Sequence, residues 1–212
     1  MRLVGMLDSP YVRRVAISLQ LLRVPFEHAS ISVFRTFEQF RPINPVVKAP
    51  TLVCDDGTVL MDSTLIIEYA EALADCGKSL MPVDIAERQH ALRVIGLALA
   101  ACEKSVQIIY ERQLRPAEKL HEPWVSRVKG QLLAAYEALE SEERRSPLSV
   151  TSETINQAGL SAAVAWHFTQ QTLPEVVAAE RYPALTALSS KAEALAEFVA
   201  APHGSGTYCH NS

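Results

Sequence analysis

Cysteine is scarce in this chain of 212 residues: Cys54, Cys76, Cys102 and Cys209 are widely spaced and form no Cys-x-x-Cys pair. That argues against both a disulfide framework and a zinc site. The six histidines show no metal-ligand spacing either, so no metal is expected. No apolar run approaches membrane-spanning length, and the opening Met1-Arg2-Leu3-Val4-Gly5-Met6 lacks the order of a signal peptide. A cytoplasmic protein is expected. Basic runs interleaved with aromatics are also missing and the net charge is −4, which makes nucleic acid an unexpected partner.

What is present falls into two regimes. Leu3 to Leu7 is a short apolar run, followed by Ser9-Pro10, a cap and first-position pair for a helix to about Leu22. On that helix Arg13 and Arg14 are assigned to a solvated face. A second strand is expected from Val24 to about Ser32, then a short helix over Phe34 to Phe40 and a turn at Asn44-Pro45. Thr51 to Cys54 and Thr58 to Met61 flank an Asp-Gly turn, the strongest short-range signal for a tight hairpin. Asp62-Ser63 then opens a helix, placing hydrogen-bonding side chains where four backbone N–H groups lack partners.

Residues 77–83 break the pattern and are expected to link residues 1–76 to a second domain over 84–212. Beyond them the chain is rich in alanine and leucine and has no strand-like segment. A long helix is expected from Asp84 to about Leu114, in which Leu92, Ile95, Leu99, Cys102, Val106 and Ile109 recur as an apolar set at three- and four-residue steps. A second runs from Glu122 to Ser141 with Trp124 on its buried side, and a loop covers Arg144 to Val150. Thr154 and Gln157 read as a capping box opening a third helix, in which Trp166, Phe168 and His167 are structural. A last helix is expected from Pro183 to Ala200, then a mobile polar tail in which Cys209 and His210 have no role. The fold class is α+β: a thioredoxin-like βαβαββα domain followed by an all-α domain.

A proline heading a hairpin, with an acidic residue and a serine at a helix start a dozen residues on, resembles the glutathione-binding half of the bacterial, serine-type cytosolic glutathione S-transferases. The resemblance covers the first 75 or so residues. It implies that Pro50 is cis, that Ala49 offers backbone groups to the cysteinyl part of glutathione, and that Asp62 and Ser63 contact the γ-glutamyl end. A cis X-Pro bond costs only about 0.5 to 1 kcal/mol, and a helix N-terminus favours an anion by roughly 0.3 to 1 kcal/mol. Gln157 departs from the family, which usually has aspartate there.

The same resemblance puts Ser9 where the family places the group that hydrogen-bonds the glutathione sulfur. The thiolate is the nucleophile and a free thiol titrates near pH 8.5, so the protein must lower that pKa. A hydrogen bond to a charged group contributes roughly 1.5 to 3 kcal/mol, enough for about one to two pKa units. The plainer reading of Ser9 is a helix cap. Lys48 and Arg35 are candidates for the glycyl carboxylate, or solvated surface charges. The electrophile pocket is expected between the domains, with Tyr110 and Gln107 as its polar candidates, and Cys54 is expected to be a buried hydrophobe rather than a nucleophile.

The implied function is a glutathione S-transferase acting on a small hydrophobic electrophile, with glutathione as co-substrate and a homodimer as the assembly. The alternatives are a glutathione-dependent isomerase, a thiol-disulfide or peroxide reductase, and a non-enzymatic regulatory protein of the same fold.

Overall fold

The computed structural model describes residues 1–75 and 77–208. Cys76, at the expected domain end, and Cys209 and His210 lie outside the described residues. The chain divides into two compact units, one holding the residues through Met81 together with those from Ala194 on, the other Pro82–Glu193.

The first unit contains β1 (Arg2–Val4), α1 (Pro10–Leu21), β2 (Glu27–Ala29), α2 (Phe37–Phe40), β3 (Thr51–Val53), β4 (Val59–Met61) and α3 (Ser63–Leu73). The sheet order is β2-β1-β3-β4, with β1 parallel to β2 and the other two pairs antiparallel. This is the thioredoxin-like arrangement. Val4 pairs with Ala29 on one side and Thr51 on the other, which brings the end of β1 beside the start of the hairpin.

Two elements are shorter than expected, each for a local reason. Arg23 turns left-handed with φ 58° and the Val24 N–H donates to the Leu19 carbonyl at 2.9 Å, so the turn after α1 is still in progress where a strand was expected. Pro25 cannot donate to a ladder at all. Before α2, the N–H groups of Phe34 and Arg35 donate to Ser32 Oγ at 3.2 and 3.0 Å, a side-chain turn that competes with helix.

The solvated face expected on α1 does not exist. Arg13 and Arg14 are each 2% exposed, because α3 and a C-terminal helix pack on α1. The single helix expected from Pro183 to Ala200 is two, α7 (Pro183–Glu193) and α8 (Ala196–Ala200), separated at Leu195, whose backbone is extended. Arg13 explains why α8 leaves the helical unit: Nε donates to the Ala201 carbonyl at 2.8 Å and Nη2 to that of Phe198 at 3.4 Å, with the guanidinium 5.6 Å from the Phe198 ring centre. The residues expected to end an all-helical domain therefore complete the first unit instead.

Nor is the described part of the tail loose. Ser30 Oγ donates to the Ser205 carbonyl at 2.8 Å, the Tyr208 N–H donates to His28 Nδ1 at 2.9 Å, and the Tyr208 ring stacks on Phe26 at 4.7 Å. These contacts lie along β2, an edge strand of the sheet.

The second unit contains α4 (Ile85–Gln113), α5 (Glu122–Arg145), α6 (Gln157–Thr172) and α7. The buried face of α4 runs through Ala91, Val94, Ile95, Ala98, Ala101 and Cys102, about one residue off the expected leucine-led face, and Leu92 is exposed. Alanines let neighbouring helices approach closely, so small residues rather than the largest ones mark the packed side. Trp124 is likewise exposed rather than buried. α5 runs on to Arg145, into the expected loop, supported by Arg144 on Glu140 and Arg145 on Glu142 at helical spacing.

The cap of α6 is Asn156, not Thr154. Asn156 Oδ1 accepts from the N–H groups of Ala158 and Gly159, both at 3.0 Å. The Thr154 hydroxyl is engaged with Ser149 and Thr151, and Gln157, the first helical residue, turns its amide onto Ser161 Oγ at 3.3 Å. Trp166 and Phe168 are buried, with Trp166 edge-on to Tyr136 at 5.3 Å.

Candidate functional site

The site is built where β1 ends. Gly5 has φ +140°, and a Cβ there would fall 2.6 Å from Val12 Cγ2 and 3.0 Å from Ala49 Cβ. Glycine is required both by the backbone angle and by the closeness of residue 49. Four residues on, Ser9 caps α1, its Oγ accepting from the Val12 N–H at 3.4 Å. The cap is real, but it uses a lone pair and leaves the hydroxyl proton for another acceptor.

The loop facing Gly5 is held from within. Buried Asn44 accepts from the Val46 N–H at 3.0 Å and donates to Thr51 Oγ1 at 2.9 Å, and that hydroxyl donates to the Lys48 carbonyl at 2.7 Å. Val47 adopts φ 51°, and the Ala49–Pro50 peptide bond is cis.

At the start of α3, Asp62 has φ 71° and its Oδ1 accepts from the Thr64 N–H at 2.9 Å. Its Oδ2 lies 3.5 Å from Lys48 Nζ, an ion pair with both partners about half exposed. Ser63 is 3% exposed, and its Oγ accepts from Arg14 Nη1 at 2.9 Å; the same nitrogen reaches Thr64 Oγ1 at 3.3 Å.

Arg35 reaches the other side of the strand end, its Nη2 lying 3.4 Å from Met6 Sδ. Burial pushes the Asp8 carboxyl above the usual carboxylate range, and the Arg35 guanidinium opposes that rise. Of the residues expected from the sequence, Ser9, Arg35, Lys48, Ala49, Pro50, Asp62 and Ser63 therefore share the first unit. Tyr110 and Gln107 lie on α4 in the other unit, where the Gln107 amide donates to Glu103 at 2.9 Å and Tyr110 is exposed. Cys54 is a buried hairpin residue. Among the described residues no group of three or more His, Cys, Asp and Glu side chains is arranged to hold a metal.

Two residues were missed by sequence reasoning, Arg14 and Asn44. A signal for Arg14 existed: residues 10–22 carry just two charges, both arginines, and no acidic residue to share a solvated face with them. Asn44 reads as a turn residue and gives no sign of its reach to Thr51.

Chemically, the start of α3 combines helix N–H groups that lack intrahelical acceptors, a serine hydroxyl and a buried cation, a setting for a carboxylate. Asp62 beside it suits an ammonium group. A hydroxyl with an available proton stands at Ser9.

Residues 3–79 match the family described as glutathione S-transferase, N-terminal domain. The uncharacterized GST-like protein YibF of Escherichia coli K12 is 28% identical over 165 residues, which is 78% of this chain and 80% of that one. Glutathione transferase GST 23 of Zea mays is 32% identical over 109 residues, about half of each chain (51% and 49%). Among solved structures, a glutathione transferase family member from Pseudomonas fluorescens Pf-5 with bound S-(propanoic acid)-glutathione is 29% identical. It matches with a TM-score of 0.76 over 95% of this chain and 98% of that one.

Proposed function

Because this chain belongs to the glutathione S-transferase family, we propose that it binds glutathione in its first unit and joins the glutathione sulfur to a hydrophobic electrophile. The observation that carries this reading is the arrangement around β1: Ser9 at the start of α1, the cis Ala49–Pro50 pair against Gly5, and Ser63 buried at the start of α3. The Pseudomonas relative, solved with bound glutathione and with bound S-(propanoic acid)-glutathione, supports it.

In this reading the Ser9 hydroxyl donates to the sulfur and favours the thiolate, the displaced proton going to solvent. The thiolate forms a carbon–sulfur bond, and the leaving group departs with its electron pair. Asp62 takes the γ-glutamyl ammonium and Ser63 the carboxylate. Lys48 and Arg35 serve the glycyl end, Lys48 by exchanging its exposed pairing with Asp62, a contact worth only about 0.2 to 1 kcal/mol. Tyr110 and Gln107 are the polar residues proposed to contact the electrophile. A serine rather than a cysteine at residue 9 favours conjugation over disulfide exchange.

A homodimer and a cytoplasmic, glutathione-rich setting complete the proposal. Leu65, Tyr69 and Leu73, spaced by four residues on α3, form an exposed apolar stripe beside Val59 and Met61 of edge strand β4, a face suited to a second copy. Sedimentation of Leu65→Glu should show monomers if that face is the interface.

The deciding experiment is calorimetric titration with glutathione, with the thiolate absorbance of the complex followed in parallel. Binding that weakens in Ser63→Ala, and thiolate absorbance that disappears in Ser9→Ala, are expected. No heat at millimolar glutathione would sink the transferase reading.

A further inference from the structure

We propose that residues 203–208 form an acid-released strap on edge strand β2, with His28 as its catch: the neutral ring holds the strap, and a proton on Nδ1 lets it go while Nε2–H keeps its bond to Gly5.

The strap engages the strand at every second residue. Tyr208 stacks on Phe26 at 4.7 Å, the Tyr208 N–H donates to His28 Nδ1 at 2.9 Å, and Ser30 Oγ donates to the Ser205 carbonyl at 2.8 Å. Side chains two apart along an extended chain share a face, so Phe26, His28 and Ser30 hold the strap along one side of β2. At its near end the strap is anchored, because Arg13 donates to the Ala201 carbonyl at 2.8 Å. Next to that anchor Gly204 takes φ +139°, an angle open to glycine and strained in other residues, which supplies a hinge.

His28 is the hold that a proton can undo. A backbone N–H can only donate, so Nδ1 accepts and the ring carries its proton on Nε2, which donates to the Gly5 carbonyl at 2.7 Å. Protonation makes both nitrogens donors. Nδ1–H then faces the Tyr208 N–H with no acceptor between them, whereas the bond to Gly5 survives. The proton therefore acts on the strap and not on β1. The other holds are a serine hydroxyl and an aromatic stack, and burial and then Glu197 push the Tyr208 phenol above its usual range, so neither titrates as pH falls.

The charged and titratable groups around the ring are Glu27 beside it on β2, Arg2 opposite Glu27 on β1, and His203 and the Tyr208 phenol on the strap. Burial is the largest influence on His28 and lowers its pKa, with the Gly5 carbonyl opposing, so the catch opens on the acid side of the ordinary histidine value. Release uncovers the Phe26 ring, 5% exposed with the strap in place, and one side of a strand at the edge of the sheet.

Proton and strap exclude one another at Nδ1, so each weakens the other's hold on His28 by the same factor. NMR on the full chain reads both sides of that reciprocity. In wild type the Tyr208 amide is expected to be protected from hydrogen exchange at neutral pH and to lose about 5- to 100-fold of that protection, the span of one lost hydrogen bond, along the titration curve of the His28 ring. His28→Gln, which takes up no proton, is expected to show no such pH dependence. Tyr208→Pro, which has no N–H to offer, is expected to raise the His28 midpoint toward the ordinary value of about 6.5. A Tyr208 amide unprotected at neutral pH, or protection that survives full protonation of His28, overturns the proposal. So does an equal loss in His28→Gln, or a His28 midpoint unmoved by Tyr208→Pro. Should His28→Gln fail to fold, wild type and Tyr208→Pro decide the matter between them.

Discussion

The two sides of α1 differ in a way that its sequence conceals. Arg13 and Arg14 are neighbours, equally buried, and about 100° apart around the helix. Arg13 meets backbone carbonyls at the end of α8, and Arg14 meets hydroxyls at the start of α3. A carbonyl at a helix end has nothing to donate, so the Arg13 contacts terminate in the fold. A serine that accepts from an arginine still has a proton to give. Burial of a charge is therefore no guide to its use; what matters is whether its partner has bonding capacity left over.

That contrast can be broken most forcibly at Arg13. Arg13→Met takes its donor from the Ala201 carbonyl and leaves that of Phe198 with the Ala201 N–H alone, and at about 1 to 3 kcal/mol for the unsatisfied group the loss should be several degrees of melting temperature, at about 2 to 4 °C per kcal/mol. Glutathione affinity should be nearly unmoved; if calorimetry shows it falling alongside the melting point, the two sides of α1 are not separable. Ser9→Ala should do the opposite. The pKa of bound glutathione should rise by about one to two units and turnover at neutral pH drop about 10- to 100-fold, while melting falls only by the loss of one cap, about 1 kcal/mol. Unchanged turnover would return Ser9 to being a cap alone.

A smaller effect is expected at Lys48. Lys48→Ala removes an exposed pair, so stability should stay within about 0.5 kcal/mol and glutathione affinity weaken by roughly two- to fivefold. Of similar size is a pH effect at His28 of β2, which holds the tail beyond α8. Its Nδ1 accepts from the Tyr208 N–H, so the ring is neutral and Nε2–H donates to the Gly5 carbonyl at 2.7 Å. Burial holds its pKa below the ordinary value, so the unfolded chain takes up the proton first. The stability it contributes is present above about pH 6.5 and is lost as pH falls below that toward the lower folded value. Melting curves at falling pH should show a decline of about 1 kcal/mol that His28→Gln flattens.

Much of the first unit was legible because its signals are local. The Asp56-Gly57 turn, Ser9-Pro10 and Asp62-Ser63 each specify their own neighbourhood, and the hairpin and both helix starts form there. What was not legible depends on partners far along the chain. Arg13 cannot be recognised as buried without Ala201, 188 residues away. The break at Leu195 has no glycine or proline to announce it; the extended backbone there lets α8 reach α1. The packed face of α4 was misjudged because alanine was discounted beside leucine, and the α6 cap because Asn156 competes with Thr154 and is a slightly better cap. In the site, Ser63 could be named from its place at a helix start, but the arginine behind it could not.

The first unit is assembled from both ends of the chain, with Pro82–Glu193 spelled out between them. On a ribosome, which releases the N-terminus first, the sheet and α1 emerge early while Arg13 still lacks its carbonyls. More than a hundred residues must follow before Phe198 and Ala201 arrive. The helical unit can close as soon as it is made, whereas the unit synthesised first is the last to be finished. Nascent chains halted anywhere before Ala194 should thus carry an α1 without its Arg13 partners, open to chaperones and proteases, and the arrival of Phe198 and Ala201 is the event that seals it.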